Sequence, residues 1–147
     1  MKIWVDADAC PKPVKDILFR LAERIKIMVT MVANQGMRLP DSPFIKLIQV
    51  GHGADVADDE IINMCEAGDL IITADIPLAA RVVEKEAHAL DPRGKVYDKN
   101  NIGQILSMRN FMDELRGSGV ETGGPNSFGQ KERFKFANEL DKFIAQR

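Results

Sequence analysis

Short apolar runs alternate with longer amphipathic segments along this chain of 147 residues. Short apolar runs are typical of buried β-strands, whereas apolar residues spaced by three or four positions indicate helices. The pattern predicts strands over 2–5, 25–33, 45–50, 70–74 and, more weakly, 95–97. It predicts helices over 11–24, 55–66, 77–89, 101–115 and 130–146.

The alternation of strands and helices favours a parallel sheet covered by helices on both faces. We therefore expect an α/β protein: a single three-layer α/β/α domain over 1–147 with a mainly parallel sheet of about four to five strands. Residues 117–129, of which five are glycine, interrupt the pattern before the C-terminal helix 130–146. They suit either a flexible linker or an ordered loop whose backbone approaches a phosphate.

Two of the predicted helices carry an apolar stripe that should face the sheet. In the helix 55–66, the stripe comprises Val56, Ile61, Ile62 and Cys65. In the helix 130–146, it comprises Phe134, Ala137, Leu140 and Ile144.

Aspartate residues follow the predicted strands at the edge where open α/β sheets bind ligands. Asp6 and Asp8 follow the first strand, Asp75 follows the fourth, and Asp98 follows the fifth. Asp75 could instead be the N-cap of the helix that opens with Ile76-Pro77, but its position at the end of a buried strand favours a role in the site. If the first and fourth strands are neighbours, Asp6 and Asp75 should meet.

Three further acids open the predicted helix 55–66. Asp55, Asp58 and Asp59 are spaced i, i+3, i+4 and therefore share one face of the first turns. Acids are also stabilised there by the helix dipole, and Asp55 fits an N-cap. Because three acids exceed what a cap requires, we expect Asp58 or Asp59 to point into the site.

Clustered carboxylates constrain the chemistry of such a site. Two of them about 4 Å apart repel by about 4 kcal/mol at an effective dielectric near 20, so a cluster must protonate or bind a cation. Oxygen ligands without a Cys/His framework select Mg²⁺ or Mn²⁺ rather than Zn²⁺. The hypothesis is metal-assisted phosphoester hydrolysis.

The cysteines and the hydropathy bear on the compartment. Cys10 and Cys65 lack metal-site spacing, which favours a reduced, cytoplasmic protein. An apolar run long enough for a membrane span and a signal peptide are both missing from the sequence, so no membrane partner is expected. Cys10 lies at a predicted helix N-terminus, where a thiol pKa can fall, and is an alternative catalytic residue.

Several long motifs resemble the uncharacterised bacterial YaiI/YqxD family. They include WVDADACP at 4–11, GADVADDEI at 53–61, GDLIITADIPLA at 68–79 and TGGP at 122–125. The family is similar to PIN-like and NYN-type nuclease domains, whose strand-end aspartates bind Mg²⁺ or Mn²⁺ and whose substrate is RNA.

The resemblance implies a ligand set for this chain. Asp6 matches the acid that ends strand one, Asp75 matches the acid after strand four, and Asp58 or Asp59 matches the helix-borne acid between them. Asp8 is an additional acid, which would support the ligands or bind a second ion. The hypothesis is thus a Mg²⁺- or Mn²⁺-dependent phosphodiesterase, with Asp6, Asp8 and Asp75 as catalytic residues.

The charge distribution suits a polyanionic partner such as RNA. Residues 1–92 carry 10 basic and 15 acidic side chains, whereas residues 93–147 carry 10 basic and 7 acidic ones. The basic C-terminal part could contact phosphates, although solvated helix faces explain the same counts. The candidate phosphate contacts are Lys12, Asn34, His52, Arg81, Lys131 and Arg133.

Other functions fit parts of the same pattern. Asp6-x-Asp8 resembles the nucleophile and acid/base pair of a haloacid-dehalogenase-type phosphatase, which also needs a Ser or Thr after the second strand and a Lys. Thr30 lies inside that strand rather than after it. A non-catalytic PIN-like domain that binds RNA or a partner is another hypothesis, and a metal-stabilised scaffold is a third. The oligomeric state stays open.

Overall fold

A computed structural model describes residues 1–53, 55–122 and 127–147 of the chain. Its strands are β1 Ile3–Asp6, β2 Val29–Ala33, β3 Ile45–Gln49, β4 Leu70–Ile72, β5 His88–Leu90 and β6 Val96–Tyr97. Its helices are α1 Lys12–Ile25, α2 Val56–Met64, α3 Ile76–Glu84, α4 Ile102–Gly117 and α5 Gln130–Gln146, with a short 3₁₀ turn at Ala7–Ala9.

Within the described ranges, the six strands form one sheet in the order β3-β2-β1-β4-β5-β6. Strands β1 to β5 are parallel, and β6 is antiparallel to β5. Alternate residues of β1 face opposite cores: Ile3 and Val5 lie under α1 and α5, whereas Trp4 lies under α2 and α3. The expected three-layer α/β/α fold is confirmed.

The connections create a crevice at the carboxyl ends of β1 and β4. From β1 the chain adds β2 and then β3 on one side, and it returns through α2 to add β4 on the other side. The strand order therefore reverses between β1 and β4, and open α/β sheets bind ligands at such a point.

The sheet contains β5, which the pattern placed inside the helix 77–89. Helix α3 ends at Glu84 because Glu86 adopts a left-handed conformation with φ 68°. The amide groups of Glu86 and Ala87 donate to the carbonyls of Val83 and Val82, which closes the helix in a Schellman motif. The strand β5 follows directly.

Helix α1 also runs further than predicted, at the expense of the next strand. The predicted strand 25–33 begins only at Val29, because α1 includes Ile25 and ends at Lys26 with φ 56°. The C-terminal ends of α1 and α3 thus both use a left-handed residue other than glycine, and such a residue gives no stop signal in the sequence.

Asp98 does not join the other strand-end acids, so that expectation was wrong. Because β6 is antiparallel, its end lies at the opposite edge of the sheet from the ends of β1 and β4. The Asp98 carboxylate instead accepts hydrogen bonds from the amides of Asn100 and Asn101, where α4 begins.

Two predicted stripe residues are on the outside. Val56 is 39% exposed and Phe134 is 64% exposed, whereas Ala57 and Phe136 are buried in their place. Phe136 is buried because α5 packs its backbone against Gly94 in the turn between β5 and β6.

Helix α4 continues to Gly117, and residues 118–122 and 127–129 contain no regular structure. Residues 123–126 of the glycine-rich stretch lie outside the described residues, as does Ala54 of the motif at 53–61. Of the helices described, none combines the length and the apolar character needed to cross a membrane.

Candidate active site

The first acids at the crevice are joined through Thr73, the residue that follows β4. Its hydroxyl group donates a hydrogen bond to Asp6 Oδ2 over 3.0 Å and accepts one from the Asp75 amide over 3.0 Å. Asp6 and Asp75 therefore lie side by side, as expected from neighbouring β1 and β4. Asp75 Oδ1 also caps α3 by accepting from the Leu78 amide over 3.0 Å, so the N-cap interpretation of Asp75 is confirmed as well.

Asp58, on the first turn of α2, meets Asp75 from the other side. The two side chains share a hydrogen bond, and the pKa of Asp58 is raised from 3.8 to about 7. Burial is the largest cause, followed by the negative charges of Asp75, Asp6 and Asp55. At neutral pH this carboxyl group is therefore partly protonated when no cation is present.

The pKa of Asp6 is raised for similar reasons. Burial raises it most, the hydrogen bond from Thr73 lowers it, and the charges of Asp75 and Asp8 raise it. Asp6, Asp58 and Asp75 are thus within electrostatic range of one another, and the charged groups that act on Asp6 and Asp58 are themselves acids.

The donor set limits how a metal could bind here. Across 1–53, 55–122 and 127–147, no three His, Cys, Asp or Glu side chains are close enough to enclose an ion directly. Asp58 and Asp75 are in contact through their side chains. Mg²⁺ is commonly held by one or two carboxylates while it keeps several waters, so the oxygen donors fit a hard ion with a largely hydrated shell.

Asp8 points toward β2 rather than toward Asp75. It lies in the 3₁₀ turn after β1, and its Oδ2 accepts from the Asn34 amide over 2.8 Å. The Asn34 side-chain amide donates to the carbonyl of Gly51 over 2.7 Å. These bonds tie together the segments after β1, β2 and β3. Asp8 and Asn34 therefore brace the edge of the sheet, and Asn34 is engaged rather than open to a phosphate.

Asp59 and Arg81 pair with each other. Their side chains form a salt bridge of 2.9 Å between α2 and α3 and are 58% and 46% exposed. Of the two acids expected to point into the site, Asp58 is therefore the one that contacts Asp75. Arg81, expected to face phosphate, is held by a carboxylate on the protein surface.

The other candidate phosphate contacts are exposed and lie on three different segments of the chain. Lys12 begins α1 and His52 lies in the segment after β3. Lys131 and Arg133 are on the first turns of α5, which packs on the α1 side of the sheet. Because α2 and α3 cover the other side, Lys131 and Arg133 are on the opposite face from Asp58.

Cys10 does not have the character of a nucleophile. The thiol is buried, and burial raises its pKa to about 12. The charge of Lys15 lowers that pKa by less than burial raises it, and the charge of Asp6 adds to the rise. The thiol therefore stays protonated at neutral pH, contrary to the effect expected at a helix N-terminus.

A buried acid at the other end of β4 provides a contrast. Asp69 is 3% exposed and accepts three hydrogen bonds, from the amides of Lys2 and Glu66 and from the indole N–H of Trp4. These three partners are all donors, as expected of a carboxylate that stabilises a fold. Asp58 and Asp75, by comparison, face each other.

Thr73 is the site residue that the sequence analysis passed over. It is only 1% exposed, and a buried hydroxyl group must find partners. The available signal was a hydroxyl residue ending an apolar run two positions before an aspartate, in Thr73-Ala74-Asp75.

Comparisons with known proteins assign nearly the whole chain to one family. A family model described as "Uncharacterized BCR, YaiI/YqxD family" matches residues 4–146. A "UPF0178 protein" of Janthinobacterium sp. (strain Marseille) is 60% identical over 146 residues, which cover 99% of this chain and 97% of the relative. UPF0178 proteins of Dechloromonas aromatica (strain RCB) and Shewanella halifaxensis (strain HAW-EB4) are each 58% identical with the same coverage. No solved structure matches the chain. The chain therefore belongs to the YaiI/YqxD family.

Proposed function

We propose that this protein is a Mg²⁺- or Mn²⁺-dependent phosphodiesterase that cleaves RNA. The observation that carries the proposal is the contact between the carboxyl groups of Asp58 and Asp75 beside Asp6, at the crevice between β1 and β4. The charged groups that act on Asp6 and Asp58 are acids, and a divalent cation would relieve the repulsion between them.

Asp58 and Asp75 would hold the ion directly, and Asp6 would reach it through water. When bound, the ion would polarise a phosphate oxygen and lower the pKa of a bound water. Asp6 would orient a water molecule with the oxygen that Thr73 leaves available. Asp8 would keep the edge rigid through Asn34.

The likeness of the family to PIN-like nuclease domains supports RNA as the substrate. Those domains also use strand-end aspartates, and the strand order of this sheet is compatible with such a fold. In this proposal, Asp6, Asp58 and Asp75 have the role of those aspartates.

The phosphatase alternative receives less support from the geometry. Its mechanism needs a hydroxyl residue after β2, but β2 is followed by Asn34, and Thr30 is buried within the strand. It also needs Asp8 as a free acid/base, and Asp8 accepts a hydrogen bond from Asn34.

The test combines Mn²⁺ titration with hydrolysis of two substrates, single-stranded RNA and bis(p-nitrophenyl) phosphate. The small diester reports the chemistry without a requirement for strand binding. We expect Mn²⁺ to bind and both substrates to be cleaved, and we expect Asp6→Asn to lose cleavage while it remains folded.

Asp59→Asn is the matched control, because its carboxylate pairs with Arg81; it should keep both activities. Unchanged cleavage in Asp6→Asn would refute the proposal. Mn²⁺ and RNA binding without hydrolysis of either substrate would instead favour a non-catalytic RNA-binding domain.

A further inference from the structure

A cavity of about 530 Å³ lies between α1 and the segment that connects β2 to β3. Basic and apolar side chains line it: Lys12, Lys15 and Phe19 from α1, and Met37, Arg38 and Leu39 from the connection. We call it the α1 groove. Its volume is within the range of pockets that hold small ligands, about 300–1,000 Å³.

The α1 groove has an apolar floor and a basic rim. Phe19, Met37 and Leu39 are half-buried and pack against the main core, so the floor is supported from beneath. Lys12 and Arg38 are exposed. Asp16 is the acid that lines the groove beside these cations. A basic groove is notable in the part of the chain, residues 1–92, that has a net charge of −5.

The α1 groove adjoins the acidic site through Cys10. Cys10 lies between the 3₁₀ turn and α1 and is buried in the core against which Phe19, Met37 and Leu39 pack. Lys12 begins α1 just after the 3₁₀ turn that carries Asp8. The Asn34 amide bound to Asp8 anchors the start of the connecting segment. A chain lying in the groove could therefore continue to the carboxylates.

We propose that the α1 groove binds one nucleotide of a single-stranded nucleic acid, with backbone phosphates at Lys12, Lys15 and Arg38 and the base against Phe19. The inference rests on the proposed function, since the groove would bind the strand that the acidic site cleaves. Cations match the phosphates, and an apolar floor accepts the face of an unpaired base, which a duplex keeps stacked. The groove thus favours single strands and phosphate chemistry common to RNA and DNA.

The experiment measures anisotropy of a fluorescein-labelled oligouridylate of about 10 nucleotides in EDTA, so that the metal plays no part. Arg38→Gln and Lys15→Gln should each weaken binding severalfold. Each should also make the slope of log K against log[salt] shallower by about 0.7. Phe19→Leu, which keeps an apolar side chain on the core, should weaken binding about fivefold or more. An oligothymidylate measures binding of DNA, and a duplex measures binding of paired strands. A duplex that binds as tightly as the single strand would overturn the base contact.

Lys99→Gln is the matched control, because Lys99 is an exposed lysine that follows β6 at the far end of the sheet; it should bind like the parent. Oligouridylate binding that is unchanged in Arg38→Gln, Lys15→Gln and Phe19→Leu would overturn the inference. Groove variants that keep Mn²⁺-dependent hydrolysis of bis(p-nitrophenyl) phosphate but lose RNA binding would support it. If the parent binds oligouridylate through the groove but hydrolyses neither substrate, the proposed function fails and the groove assignment stands.

Discussion

The Thr73 hydroxyl group donates a 3.0 Å hydrogen bond to the Asp6 carboxylate and so joins the ends of β4 and β1. The same oxygen accepts the Asp75 amide, which leaves the hydroxyl proton directed at Asp6. Because Thr73 is buried, water cannot readily take its place. Thr73 is therefore a positioning residue for Asp6.

Thr73→Val should disable the site while it preserves the fold. Valine has nearly the same shape, but it leaves Asp6 and the Asp75 amide without their shared partner. The pKa of Asp6 should then rise further, because the hydrogen bond from Thr73 that lowers it is lost. We expect Mn²⁺ affinity or RNA cleavage to fall by about 10–100-fold, as for other residues that orient metal ligands. Thr73→Ser, which keeps the hydroxyl group, should restore most of the loss. Calorimetric Mn²⁺ titrations that show equal affinity for both variants would contradict this role.

The sequence left Asp58 and Asp59 as the two candidates for a helix-borne metal ligand and could not choose between them. The choice depends on the rotation of α2 about its axis. The predicted stripe included Val56, which is 39% exposed, whereas Ala57 is buried against the sheet. Short helices with small residues have weak stripes, so their rotation is decided by tertiary packing.

The two neighbouring acids should respond differently to the same substitution. Asp58→Asn should weaken Mn²⁺ binding at least about tenfold, because it removes a carboxylate in contact with Asp75. Asp59→Asn removes only an exposed salt bridge to Arg81, which contributes about 0–1 kcal/mol to stability, and should leave Mn²⁺ binding unchanged. Isothermal titration of both variants checks the difference, and a larger loss for Asp59→Asn would reverse the assignment.

The metal-free protein should lose stability as pH rises. The folded state raises the pKa of Asp58 from 3.8 to about 7, and that of Asp6 also rises. Between about pH 4 and about pH 7 the folded state therefore binds more protons than the unfolded state, so the free energy of unfolding falls with increasing pH.

Urea denaturation in EDTA across that range measures the slope. We expect Asp58→Asn to flatten it and Asp59→Asn to keep it. Adding Mg²⁺ near neutral pH should restore stability, because the ion binds only the folded site. A stability that rises with pH in EDTA would show that the carboxylates are already compensated within the protein.

The parallel sheet and the edge that carries the candidate site followed from the hydrophobic runs, but β5 was not predicted. The residues 84–87 before His88 are good helix formers, and the left-handed residue that ends α3 is Glu86 rather than glycine. Its left-handed conformation is stabilised by hydrogen bonds to the carbonyls of Val82 and Val83, which the residue types do not reveal. Lys26 hides the end of α1 in the same way.

The close packing of α5 on the β5–β6 turn gives a prediction about stability alone. Gly94 has φ 91°, and a Cβ there would lie 2.7 Å from the Lys135 carbonyl carbon and 2.9 Å from the Phe136 amide nitrogen. Gly94→Ala must therefore displace backbone, and we expect a loss of about 3 kcal/mol in unfolding free energy. Gly103→Ala is the control, because a Cβ at this position in α4 meets nothing within 4 Å. It should stabilise the protein by about 0.5–1 kcal/mol. Urea denaturation of the two variants at one pH measures both changes, and equal effects would mean that α5 does not pack against Gly94.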